Sequence, residues 1–208
     1  GNNCLTASFN LSKSVPKIYY CHTPVRYVYD LLKLRRSEEK SFLKKIIYYD
    51  IGKWGIRSVY KIGLSRMNKV LSNSKNVQKR LEKFCNTKSE VIYPPIETNK
   101  FKWLGQSDYY ISFARLDPLK RVDDVVRAFQ KMPDKRLVIS SGGEELENIR
   151  KLAEGFANIS VLGWVDDEQL VNLVGNAIAS IYIPIDEDAG MTQICLLYTS
   201  DAADDETS

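Results

Sequence analysis

The stretch YYISFARLDPLKRVDDVVRAFQKMPDKRLVIS, residues 109–140, decides how this chain is read. Tyr109-Tyr-Ile-Ser-Phe113 is a short run of β-formers and predicts a strand. From Arg121 to Met132, Val122, Val125, Val126 and Phe129 fall at i, i+3, i+4 and i+7, which places them on one face of a helix. Arg136-Leu-Val-Ile-Ser140 predicts the next strand. Strand, helix and strand joined by short connections form a βαβ unit.

Working outward, the pattern continues. Gly142-Gly143 leads into a helix carrying Leu146, Ile149 and Leu152. Ile159 to Leu162 predicts a strand, a helix with Leu170, Leu173 and Val174 follows, and Ala177 to Ile183 predicts another strand. Such alternation specifies a parallel α/β sheet with helices on both faces, whose ligands bind at the carboxyl ends of the strands. Upstream, Lys17 to Cys21 predicts a strand that ends at His22-Thr-Pro24. Glu38 to about Met67 spaces Phe42, Ile46 and Tyr49 between charges and predicts helix, with Gly52, Gly55 and Gly63 as weak points. Lys69 to Asn73 predicts a strand, Ser74 caps a helix through Phe84, and Glu90 to Tyr93 predicts a strand stopped by Pro94-Pro95. The Pro pair and the polar residues through Asn99 read as a linker, with residues 1–101 and 102–194 as two domains.

Composition narrows the function. The 208 residues are 44% hydrophobic and 27% charged, as in globular domains. No apolar run reaches the eighteen or more residues that a membrane helix needs. The opening Gly-Asn-Asn-Cys reads as an interior start rather than a signal peptide. The net charge of +4 is concentrated in the first hundred residues, which suits an anionic membrane or phosphorylated substrate; nucleic-acid motifs are absent. Cys4, Cys21, Cys85 and Cys195 lie far apart and only one His is present, so no metal site is expected, and isolated thiols fit a reducing cytoplasm.

The strand ends hold the candidate chemistry. Arg115 and Lys120 follow the strand ending at Phe113 and stand beside a helix N-terminus, an arrangement that suits a diphosphate but equally describes two solvated loop cations. Ser141-Gly142-Gly143 lets backbone approach a ligand, yet falls short of a dinucleotide fingerprint. After Ile183 come Asp186, Glu187 and Asp188, then Gly190, Met191 and Thr192; the acids serve either as helix caps or as a grip on sugar hydroxyls. His22, the one histidine, sits just past a strand in a Pro-containing loop.

These segments together resemble the family 4 glycosyltransferases of the GT-B fold, in particular bacterial mannosyltransferases of surface-polysaccharide assembly. The resemblance is carried by Tyr19-Tyr-Cys-His-Thr-Pro-Val-Arg-Tyr27, Ser72-Asn-Ser74, Val91-Ile-Tyr-Pro-Pro-Ile96, Ala114-Arg-Leu-Asp-Pro-Leu-Lys120, Asn158-Ile-Ser-Val-Leu-Gly-Trp-Val165 and Glu187-Asp-Ala-Gly-Met-Thr192, in the family's order. It implies two Rossmann-like domains, both incomplete in this chain, with the nucleotide-sugar donor on the second and a glycan or lipid-linked acceptor on the first. Arg115 and Lys120 would then neutralise the departing diphosphate. Glu187 would be the first acid of the E-x7-E motif and bind the transferred sugar beside Asp188. Gly190, Met191 and Thr192 would hold phosphate, Gly142 would face the nucleotide, and Trp164 and Val165 would line the base site. His22 would contact the donor sugar, and Arg26 and Tyr27 the acceptor. The resemblance further implies sugar transfer with retention, without cofactor or metal, from a donor such as GDP-mannose, in the cytoplasm and at the inner face of the membrane.

The second Glu of the motif would fall at Cys195. Residues 195–208 instead resemble a translated sequencing adapter and read as a non-native tail. A fragment so built is expected to be poorly soluble and inactive. The competing readings are an inactive nucleotide-sugar-binding module and a GT-B epimerase; the second does not explain His22 together with Arg115 and Lys120.

Overall fold

The structure, a computed structural model, describes residues 14–95, 101–185, 187, 188 and 190, and the chain divides into two compact units between Pro94 and Pro95.

The first unit is a three-stranded parallel sheet, β1 (Ile18–Cys21), β2 (Lys69–Ser72) and β3 (Glu90–Val91), in the order β1-β2-β3. Cys21 stands opposite Ser72, so the loops after β1 and β2 leave the same end of the sheet. Between these strands lie α1 (Leu32–Glu38) and a helical rod over residues 42–65. The rod starts as α-helix at Phe42–Lys44, widens to an eight-residue π-helix at Lys45–Gly52, and continues as α2 (Lys53–Ser65). α3 (Lys75–Cys85) joins β2 to β3: Ser74 caps its start by accepting from the Val77 N–H at 3.1 Å, and Asn86 closes it in the left-handed conformation. Tyr60, Leu64, Val77 and Leu81 are almost fully buried in the core this unit builds.

The predicted single helix over 38–67 is corrected to these pieces. The chain turns extended at Glu39 and restarts at Ser41, whose hydroxyl accepts from Lys44 N–H. Gly55 and Gly63 do not interrupt α2. Gly52 does mark a change of winding: a Cβ there would lie 2.8 Å from the Ile47 carbonyl oxygen, so the end of the π-turn requires the missing side chain.

The second unit is a four-stranded parallel sheet of β4 (Tyr109–Ser112), β5 (Arg136–Ile139), β6 (Ile159–Val161) and β7 (Ala179–Ser180), ordered β6-β5-β4-β7. α4 (Val122–Phe129) and α5 (Leu146–Ala153) bury Val126, Phe129 and Ile149 against one face. α6 (Asp167–Gly175) packs Val174 with Ile111 and Phe101 on the other. The predicted strand over 177–183 shortens to Ala179–Ser180, although the Ile181 N–H still donates to Ile111 O at 2.8 Å.

Strand order locates the place to look. The chain runs outward from β4 through β5 to β6, then returns to the far side of β4 as β7. Where the winding reverses, the loops after β4 and β7 part in opposite directions and leave a crevice at the carboxyl ends, the topological switch point of an open α/β sheet.

Candidate functional site

The loop after β4 is wedged in place before it reaches the crevice. Leu116 is fully buried; its N–H donates to Gly142 O at 3.0 Å and its carbonyl accepts from the Glu145 N–H at 3.1 Å. Gly143, at φ +155°, sits so close that a Cβ would fall 2.1 Å from the Leu116 carbonyl oxygen. Asp117 then accepts from Leu119 N–H and caps the 3-10 turn Pro118–Lys120. Arg121, in the left-handed conformation, redirects the chain into α4. The chain beyond β7 is tied to this turn by the Ile185 N–H, which donates to Leu119 O at 2.7 Å.

Those anchors bring two strand-end loops together through three side chains. Lys120 Nζ donates to Glu187 Oε2 at 2.5 Å and to the Tyr182 hydroxyl at 2.9 Å, and that hydroxyl donates to the same carboxylate oxygen at 2.5 Å. Only 22% of the Lys120 side chain and 27% of Glu187 is exposed. Burial alone would pull the lysine toward neutrality, but its bonds to Glu187 and Tyr182 outweigh that and lift its pKa above the ordinary lysine value. Burial likewise works against an ionised Glu187, yet Lys120, Tyr182 and the Gly190 N–H hold its carboxyl below the usual range. Burial and the carboxylate push the Tyr182 phenol up, so it remains a donor. The crevice therefore holds a charged, pre-formed ammonium–carboxylate pair.

Tyr182 is the residue that sequence reasoning missed. It lay inside a predicted strand, but the ladder ends at Ser180 and its hydroxyl enters the crevice. The available signal was a hydroxyl between Ile181 and Ile183, next to the acidic loop. Glu187, with its lowered pKa, adds stability that is present above the ordinary value of 4.5 and lost as pH falls through the folded value. Tyr182→Phe removes one donor to that carboxylate. We expect the variant to lose about 1 kcal/mol at neutral pH and its acid-side decline to start at higher pH. Urea denaturation across the carboxylate range checks this; an acid limb identical to that of the parent would rule it out.

The other residues singled out in the second unit lie in the loops that follow its strands. Arg115 lies on the same loop, exposed, with no ion-pair or hydrogen-bond partner for its side chain among the described residues. Gly142, after β5, meets Trp164, after β6: a Cβ on the glycine would lie 3.7 Å from the indole, which is itself 84% exposed. Val165 and Asp188 are half-buried, and Gly190 is buried at φ +62°. The buried hydroxyls of Ser112 and Ser140, at the ends of β4 and β5, have no partner among the described residues. Met191, Thr192 and Cys195 lie outside the described residues. Those residues contain no group of three or more His, Cys, Asp or Glu side chains placed to hold a metal ion.

In the first unit, His22 follows β1, exposed, with its ring edge-to-face against Tyr20 at 4.8 Å. The Asn73 N–H donates to Cys21 O, which sets the loops after β1 and β2 side by side. Tyr27 is 42% exposed in the turn that follows. Arg26 bonds Asp30 at 2.9 Å, and that carboxylate is shared with Arg80 at 3.4 Å, so its guanidinium is engaged within the unit.

Residues 95–194 match the family model described as Glycosyl transferases group 1. No curated protein matches the chain by sequence. Among solved structures, it is similar to Alr3699/HepE of Anabaena in complex with UDP and glucose, at TM-score 0.62 and 12% identity over 88% of this chain and 51% of that one. Sucrose-phosphate synthase from Thermosynechococcus elongatus aligns at TM-score 0.62 and 15% identity, over 86% and 47% of the two chains. The lipopolysaccharide outer core galactosyltransferase WaaB, in its apo form, aligns at 0.56 and 14%, over 95% and 58%. The chain spans about half the length of these structures. Its fold is that of the GT-B glycosyltransferases, with parallel-strand α/β units on both sides of the Pro pair.

Proposed function

We propose that this chain is part of a retaining glycosyltransferase that moves a hexose from a nucleoside diphosphate sugar to a glycan or lipid-linked glycan in bacterial surface-polysaccharide synthesis. The observation that carries the reading is the Lys120–Tyr182–Glu187 cluster at the switch point of the second sheet. When the bond from the anomeric carbon to the diphosphate breaks, negative charge builds on the leaving oxygen. A fixed ammonium beside it stabilises that charge without the reorganisation that water would need. Arg115, exposed on the same loop, supplies a second cation. Glu187 accepts from hydroxyls of the sugar and keeps Lys120 charged. Trp164, exposed over Gly142, offers a face for the base.

Mannose from GDP-mannose is the donor we favour, because the motifs resemble those of bacterial mannosyltransferases; a UDP-hexose is the competitor, since UDP is present in the Anabaena complex. No cofactor or metal takes part in this scheme. In this scheme His22 contacts the donor sugar, and Arg26 and Tyr27 belong to the acceptor side. The protein would work in the cytoplasm, and the cation-rich first unit would hold it against an anionic inner membrane face carrying the acceptor. Because the chain spans about half of its structural neighbours, we expect it to bind nucleotide alone but not to transfer sugar. A second reading, an inactive nucleotide-sugar-binding module, is favoured if residues 195–208 are authentic, because Cys195 then stands where the motif has its second Glu.

Titration calorimetry with UDP and with GDP tests the proposal. Saturable binding of one of them, weakened by Arg115→Ala, is the expected result. Absence of binding by either nucleotide at millimolar concentration would overturn it. Transfer assays on the full-length enzyme with a panel of nucleotide sugars then separate enzyme from binding module.

A further inference from the structure

In one groove of the first unit, positive charge is gathered with no acid to neutralise it. Trp54, Arg57 and Lys61 fall at i, i+3 and i+7 of α2 and share one face. Lys83 and Phe84 stand in the last turn of α3, and Tyr29 stacks on Phe84 with ring centres 5.1 Å apart and planes 16° from parallel. These three cations and three rings line a groove of about 360 Å³. The Arg57 guanidinium is fixed within it. Its Nε donates to Val28 O at 2.7 Å, and its centre lies 5.0 Å from the Tyr29 ring and 5.6 Å from the Trp54 ring. Both Nη groups are left with no partner among the described residues. Lys83 Nζ stands 5.4 Å from the Phe84 ring, and neither it nor Lys61 has an ion-pair or hydrogen-bond partner among those residues. Arg57 and Lys61, at i and i+4, repel one another. Other cations of the unit do find acids: Asp30 takes Arg26 and Arg80, Asp50 takes Arg36, and Glu90 takes Lys69.

We infer that the groove binds an acid-bearing residue of the acceptor glycan, a hexuronate whose carboxylate meets the Arg57 fork and the two ammoniums while the C–H face of its ring rests on the aromatic side chains. The inference rests on the glycan acceptor proposed above and names its chemical class. Free Nη groups in a fixed plane match a carboxylate bidentately. A bare phosphate would use the cations and leave three rings uncovered. A neutral sugar would use the rings and leave three cations uncompensated. Single-stranded nucleic acid also joins charge to flat rings, but its binding grooves follow a backbone over several nucleotides. This groove lies instead at the low end of the about 300–1,000 Å³ that small-molecule sites enclose, and like them it has an aromatic lining with a few placed polar groups.

In the 208-residue chain, Trp103→Phe with Trp164→Phe leaves Trp54 as the single indole. This protein is titrated with a hyaluronan tetrasaccharide, which alternates glucuronate with N-acetylglucosamine, and with chitotetraose, which has the neutral sugar alone. A saturable change in Trp54 emission with the first and none with the second is expected. Lys61→Glu, at an exposed position, should weaken that binding about tenfold or more while the urea midpoint stays where it was. An equal response to both sugars, no response at millimolar concentration, or an unaffected Lys61→Glu variant would overturn the inference. Tighter binding of inorganic phosphate or of oligouridylate would overturn it too, by assigning the groove to a phosphate group or to a nucleic acid. Calorimetry of the parent chain with UDP and GDP keeps the two readings apart. Nucleotide binding without binding of the acidic sugar removes this inference alone. Binding of the acidic sugar without nucleotide supports the groove as a site for acidic glycan and removes the transfer reading.

Discussion

Replacing Lys120 with alanine is expected to lower sugar transfer by the full-length enzyme about 10²–10³-fold, the loss typical of removing one pre-positioned donor from a developing oxyanion. The lysine is held by two partners in a crevice that leaves 22% of it exposed, so neither water nor Arg115 on its flexible stem reproduces its position. The variant has a second effect that must be separated from the first. Without the ammonium, Glu187 is left half-buried and loses its charged partner, with Tyr182 and the Gly190 N–H still donating to it, and its carboxyl pKa rises. Stability at neutral pH therefore drops as well, and activity has to be read per folded molecule. Lys120→Arg resolves the two: it restores charge to Glu187 and recovers stability, but a planar guanidinium cannot occupy the position of the ammonium, so turnover stays low while donor KM moves less. Single-turnover rates for the parent and both variants check this. An alanine variant with the parental rate would remove Lys120 from the chemistry.

How much of this was legible beforehand depends on which residues are asked about. The βαβ run over 109–161 could be read because Val122, Val125, Val126 and Phe129 face one way and their spacing states it; all four are buried. That β7 returns beside β4 could not be read, since strand order is a property of the sheet and leaves no local mark. Hence Lys120 and Glu187, 67 residues apart, were linked beforehand only by resemblance to a family. Tyr182 was hidden for a different reason: at the edge of a sheet the ladder ends early, and a residue counted as strand becomes free to turn inward. The capture of Arg26 by Asp30 was written in the i, i+4 spacing and was passed over. In the rod, the apolar periodicity over 42–65 was legible, but periodicity reports that a face exists and not what covers it; Phe42, placed among the apolar positions, is 71% exposed.

The site also depends on a residue that touches none of the reacting groups. Gly143→Ala is expected to cost about 3 kcal/mol or more, combining about 1–3 kcal/mol of overpacking with about 1–3 kcal/mol for a side chain at a conformation reserved for glycine. The clash cannot be relieved by a rotamer, because the added carbon meets backbone: 2.1 Å to the Leu116 oxygen, 2.7 Å to its carbonyl carbon and 2.9 Å to its nitrogen. Something must move, and the nearest candidates are the two bonds that join the 116 and 142–145 segments. Losing them frees the turn that carries Lys120, so nucleotide affinity should fall together with stability. The neighbouring glycine is the control. A Cβ on Gly142 makes ordinary contact with Trp164 at 3.7 Å, so Gly142→Ala should keep the parental urea midpoint, and any loss of nucleotide binding there reports on the base site alone. Equal midpoints for the two alanine variants would show that the loop is not wedged as described, and the argument that Lys120 is held in position by the backbone beneath it would fail with that result.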